Sequence, residues 1–189
     1  MQAQHASPRR VIVAGVAALA TLLAVLIGSA APASATTGVN TQDRTYLRAA
    51  HQANLAEITA AKIALDKATE PVTKQLARVW IRDHSRLDAA LRPVARKLGV
   101  ALPAAPNAQQ RALAAKYRAT SGPAFDRLWI STQMTAHHQA MALGDAELQK
   151  GSAAPVKKLA RDAAPVIAKH GTLLDKAAKI VDGEHCKHH

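Results

Sequence analysis

The chain has 189 residues, 20% of them charged and 3% aromatic, and its 25 Lys and Arg against 13 Asp and Glu give a net charge of +12. A single cysteine, Cys186, excludes an intrachain disulfide framework. Only Tyr46, Trp80, Tyr117, Phe125 and Trp129 are aromatic. They are too few and too scattered to form a base-stacking platform, so specific nucleic-acid reading is not expected.

The first element is an export signal. Arg9 and Arg10 precede an uncharged apolar run from Val11 to Ile27, and Pro32 then leads into Ala33-Ser34-Ala35. A positive start, an apolar stretch and a small-residue site together predict cleavage after Ala35 and a secreted or envelope location. The alternative is a retained anchor, since a spanning helix needs ~20 apolar residues. With cleavage, no transmembrane segment remains. Beyond residue 35 lie 23 of the 25 basic residues and all 13 acidic ones, a net charge of +10. Such a surface favours anionic envelope polymers, and no other partner is legible.

Residues 36–183 read as one all-α domain, rich in Ala, Leu, Lys, Arg and Gln, which are good helix formers. Thr41 to Asp43 cap a first helix reaching about Thr69, and Pro71 opens a second that reaches about Leu98. Pro93 predicts a kink or an early end there. Residues 99–107 form a loop, and 108–119 a short helix lying across the others. Ser121-Gly122-Pro123 restarts the chain into a third long helix that Gly151 stops, and Pro155 begins a fourth ending near Asp182-Gly183. Two short turns and one long crossover predict an antiparallel, ferritin-like four-helix bundle. Residues 184–189 form a tail in which His185, Cys186, His188 and His189 could capture a soft metal or crosslink, or simply end the chain.

Apolar spacing gives each long helix a seam. The first runs Leu47, Ala50, Asn54, Glu57, Ala61, Leu65, and the second Ala77, Trp80, His84, Leu87, Leu91. The third runs Ile130, Met134, His137 or His138, Met141, Leu148, and the last Val156, Leu159, Ala163, Val166, His170, Leu173, Ala177, Ile180. Each seam thus carries a titratable group: Glu57, His84, His138 (or its neighbour His137) and His170. Buried groups of this kind are costly unless paired, and one carboxylate with imidazoles suits copper, zinc or iron. Met134 and Met141 flank the histidine pair by one turn and are further candidates, because thioether beside imidazole suits copper. Helical rise puts Glu57 level with His84 but leaves His138 and His170 about one turn, ~6 Å, out of level. The competing reading is a hydrogen-bonded polar network that fixes helix register. Glu-x-x-His is absent, which argues against a dinuclear iron centre. No nucleophile triad, phosphate loop or paired catalytic carboxylates point to an enzyme.

The order Tyr46-Leu47, Ala50, Asn54, Glu57-Ile58, Asp83-His84 and Lys97 to Val100, then Phe125-Asp126, Met134, His138, Val156-Lys157, Pro165 and His170, resembles the bacterial "domain of unknown function 4142" family. The resemblance implies an exported ferritin-like domain of unestablished activity, with Asn54, Glu57, His84, His138 and His170 at its family positions. The Met134 to His138 stretch is also similar, over a shorter span, to the "domain of unknown function 305" family, which implies a link to copper.

Overall fold

The computed structural model describes residues 38–185. The expected export signal and residues 186–189 of the tail, Cys186 among them, lie outside the described residues.

Five helices and no strand make up the described chain: α1 Thr41–Lys67, α2 Pro71–Lys97, α3 Ala108–Ala119, α4 Gly122–Lys150 and α5 Ala154–His185. Local chemistry explains their ends. Asn40 and Asp43 form a capping box on α1, with Asp43 N–H donating to Asn40 Oδ1 at 2.9 Å and Asn40 N–H to Asp43 Oδ2 at 2.7 Å. Asn107 and Gln110 do the same for α3. Gly99, at φ +64°, lets α2 close with Val100 N–H on Ala95 O at 2.9 Å and Gly99 N–H on Arg96 O at 3.1 Å. A side chain at Gly99 would strain that left-handed backbone.

Helix α2 folds back along α1, and α5 along α4. The two hairpins meet through α1 against α4 and α2 against α5, while α3 lies mainly on α1. Two buried aspartates tie the hairpins together. Asp126, near the start of α4, accepts from Thr69 N–H (3.0 Å), Thr69 Oγ1–H (2.6 Å) and Glu70 N–H (3.3 Å) at the head of α2. Asp43, in the first turn of α1, accepts from Ser152 Oγ–H (2.7 Å) and Ala153 N–H (3.0 Å) at the head of α5. Each hairpin therefore caps the return helix of the other, placing negative charge where free N–H groups point. Asp43 and Asp126, Thr69 and Ser152, and Glu70 and Ala153 are all separated by the same interval along the chain.

The core has two apolar clusters. One is aromatic, with Trp80, Trp129, Tyr117 and Phe125 against Ala61, Leu76 and Leu174. The other gathers Tyr46, Leu47, Leu91, Val100 and Val156 near the opposite ends of the long helices. Asn54, Glu57, His84, Gln133, His137 and His170 form a buried polar group between them in helical register.

Three expectations need correction. Of the two outcomes expected at Pro93, a kink or an early end, the early end does not occur, and α2 runs on to Lys97. Helix α5 continues past Gly183 to His185. Its buried stripe ends on Leu174, Ala177 and Val181, whereas Ile180, expected in the seam, is 45% exposed. Strict three-four alternation has period 3.5, and a straight helix has 3.6, so a real stripe drifts by a residue over several turns.

Candidate metal centre

Three helices supply one imidazole each. His84 on α2, His137 on α4 and His170 on α5 are buried, and each offers a ring nitrogen lying within 4.8 Å of the others. The orientation of each ring is fixed from behind. His84 Nδ1–H donates to Asn54 Oδ1 at 3.0 Å. His137 Nδ1–H donates to the Gln133 carbonyl one turn back at 2.9 Å. His170 Nε2–H donates to Asp83 Oδ2 at 3.1 Å.

With those protons assigned by their oxygen acceptors, His84 Nε2, His137 Nε2 and His170 Nδ1 carry the lone pairs. His137 Nε2 and His170 Nδ1 are 3.0 Å apart. His84 Nε2 is buried and has no hydrogen-bond partner. Acceptors held from behind and converging in front are the pattern of metal-ligating histidines. Their charge state fits too. Burial holds His84 well below the usual imidazole range, His137 near 4 and His170 below its ordinary value, which favours the uncharged ring in each. A neutral imidazole is the ligating form.

The surroundings are aromatic and tight. The Trp80 ring stacks on His170 at 3.9 Å and 16°. Trp80 Nε1–H donates to Gln133 Oε1 at 2.7 Å. Asp83 is held by Arg82 Nε–H at 2.7 Å and Arg82 Nη2–H at 2.8 Å, which fix it behind His170 and keep its carboxylate down at about 2.

The expected residues fall unequally into this arrangement. His84 and His170 are where the seams put them, and the expected one-turn offset does not keep His170 from meeting His137. Of the two alternatives on α4, His137 is the buried one and His138 is exposed. The reason is rotational: α4 buries Trp129, Ile130, Gln133 and His137, one step round from the expected stripe through Met134 and His138. Met134 packs half-buried against the aromatic cluster, and Met141 is half-buried. Glu57 is buried nearby with Oε2 unpartnered, but it does not belong to the group of converging ligand atoms. Burial pushes its carboxyl up to about 8, against the opposing pull of Trp80 and Gln133. From α1, Asn54 rather than Glu57 reaches His84.

The family profile described as Domain of unknown function (DUF4142) matches residues 28–177. The chain belongs to that family. Among curated proteins no relative matches it. Two solved structures share its fold. One is CopM in the Cu(I)-bound form, at 21% identity and TM-score 0.58 over 71% of this chain and 93% of that one. The other is a DUF305 fragment from Deinococcus radiodurans, at 14% identity and TM-score 0.59 over 77% and 96%. At these identities the likeness speaks for the fold alone. Among the described residues, no helix is long and apolar enough to cross a membrane.

Spacing alone missed Asp83, Gln133 and Trp80 as parts of the site. A signal for Asp83 was present, since it adjoins His84 in sequence. Nothing in one dimension shows that its carboxylate serves His170 instead.

Proposed function

We propose that this protein is an exported, ferritin-like four-helix bundle that binds one transition-metal ion through His84, His137 and His170. The observation that carries the reading is the set of three lone pairs aimed at one another while every outer ring N–H is already engaged. Between uncharged rings, a protein-only network gives His137 and His170 a hydrogen bond only if one of them surrenders its bond to Gln133 or Asp83. A cation satisfies all three nitrogens at once. Zinc and copper suit a purely imidazole set, and the Cu(I)-bound state of the CopM neighbour puts copper first. Glu57 and the methionines stand outside the set of ligands proposed. Export is inferred from Arg9-Arg10, the apolar run and the Ala-Ser-Ala site, and anionic envelope polymers are the proposed partners of the basic surface.

The test is metal content by plasma mass spectrometry of untagged protein loaded with copper or zinc. About one ion per chain is expected, falling away in His84→Ala and His170→Ala but not in His138→Ala. Loading that survives both of the first two substitutions would sink the proposal. The second reading, a register-fixing polar network, rests on the 3.0 Å His137–His170 contact. It predicts that chelator leaves the melting temperature unchanged, whereas a core metal would lend stability that chelation removes.

A further inference from the structure

His84 and His137 also form part of the wall of a much larger space. A cavity of about 780 Å³ lies among all five helices and reaches inward to these two rings and to Glu57. That is within the range of small-molecule pockets, ~300–1,000 Å³, and far more than a few buried waters occupy. Its origin is visible in the sequence. The α1 wall presents Ala49, Ala53, Ala56 and Ala60, spaced by three or four residues on one helical face, and α4 faces them with Ala136 and Ala140. Side chains that stop at a methyl leave open the space that Leu or Phe at the same positions would fill. The α1–α4 contact is correspondingly looser than the contact within either hairpin.

The lining sets the chemistry of an occupant. Most of it is apolar, from the alanines with Leu87, Leu113, Leu143 and Ile167. Apart from Glu57, the only Lys, Arg, Asp or Glu in the wall are Lys116 and Asp162, one of each sign. That balance stands out in a chain of net charge +12. Exposed amides, Gln109 and Gln139, are part of the lining, and the buried polar groups Asn54, Glu57 and Gln133 lie inside. An anion would find a single lysine here, and a cation would find its attraction to Asp162 offset by Lys116.

We propose that this cavity binds an uncharged, largely apolar organic molecule, with its polar end toward Asn54 and Glu57. The proposal does not depend on the metal reading, because the alanine faces and the neutral lining exist whether or not the imidazoles hold an ion.

The probe is N-phenyl-1-naphthylamine, an uncharged aromatic with one N–H, titrated into the purified, chelator-treated full chain. The expected result is a saturable rise in fluorescence from one site. Ala53→Phe and Ala136→Phe should each weaken that binding by about tenfold or more, with helicity by circular dichroism unchanged. If either phenylalanine variant fails to fold, Ala53→Leu should still weaken binding by about threefold. The sulfonated analogue 8-anilinonaphthalene-1-sulfonate should fail to displace the neutral probe. Absence of a saturable component would overturn the proposal. So would binding undiminished in the filled variants, which would put the probe on the apolar N-terminal run, or displacement by the sulfonate.

Discussion

The two hairpins are built on one plan and diverge at mid-height. Each begins with a helix carrying a buried aspartate, Asp43 or Asp126, that caps the return helix of the other, at one constant interval along the chain. Carried along the helices, that interval sets Asn54 against His137 but His84 against Ile167 and His170 against Leu87. The scaffold repeats and the imidazoles do not. The difference separates two uses of buried polarity. Asp126 closes its hydrogen bonds within the chain, whereas the histidines close theirs only on the outer side and leave their inner nitrogens facing one another.

The largest expected effect is on the closed side of that comparison. Asp126→Ala removes three hydrogen bonds to a buried carboxylate at the head of α2. It should cost about 3 kcal/mol or more, a drop in melting temperature of roughly 6–12 °C, while metal bound per folded molecule stays the same. Loss of metal along with an unchanged melting temperature would mean that the two kinds of polar group have been assigned the wrong way round.

On the open side, His137→Ala should weaken metal binding by more than about 100-fold, and Asp83→Asn by roughly 10-fold to 100-fold, since the latter only orients His170. Competition with a chromophoric chelator measures both. Equal losses would show that Asp83 is itself a ligand.

The pH dependence should have opposite signs in the two regions. Burial holds His137 near 4 when folded, against a reference of 6.5. The metal-free protein should therefore lose stability as pH falls from about 6.5 toward 4, with a shallower slope in His137→Ala. Glu147 sits beside Asp43 at the other region, fully buried, with both oxygens unpartnered and its carboxyl pressed against Gly151. Burial, reinforced by Asp43, pushes it from 4.5 up to about 7. Its contribution is complete below about 4.5 and disappears as pH rises through about 7. Glu147→Gln should thus melt higher than the parent at pH 8 and differ little at pH 5. This is the smallest effect of the series, a matter of a few degrees in a thermal scan.

Much of this was legible in one dimension. The five helices, Pro71 and Gly99 lie where turn chemistry and propensity put them, because those signals are local. His84 and His170 were legible as polar intruders in apolar seams. Spacing left His137 and His138 as alternatives, because adjacent residues differ by about 100° of rotation and the seam drifts over a helix of 29 residues. Asn54 in place of Glu57, Gln133, and the pairing of Asp83 with His170 depend on contacts between helices far apart in sequence, which no periodicity encodes. The cavity was hidden for a related reason: an alanine face reads as helix propensity until the opposing face proves to be alanine too.

The most direct test is X-ray absorption at the metal edge of the loaded protein, with zinc as the reference ion. A first shell of nitrogen at ~2.0–2.1 Å with three imidazoles' worth of outer scattering is expected, lost in His84→Ala. A sulfur shell from Met134 or Met141, or a spectrum unchanged by His84→Ala and altered by His138→Ala, would contradict it.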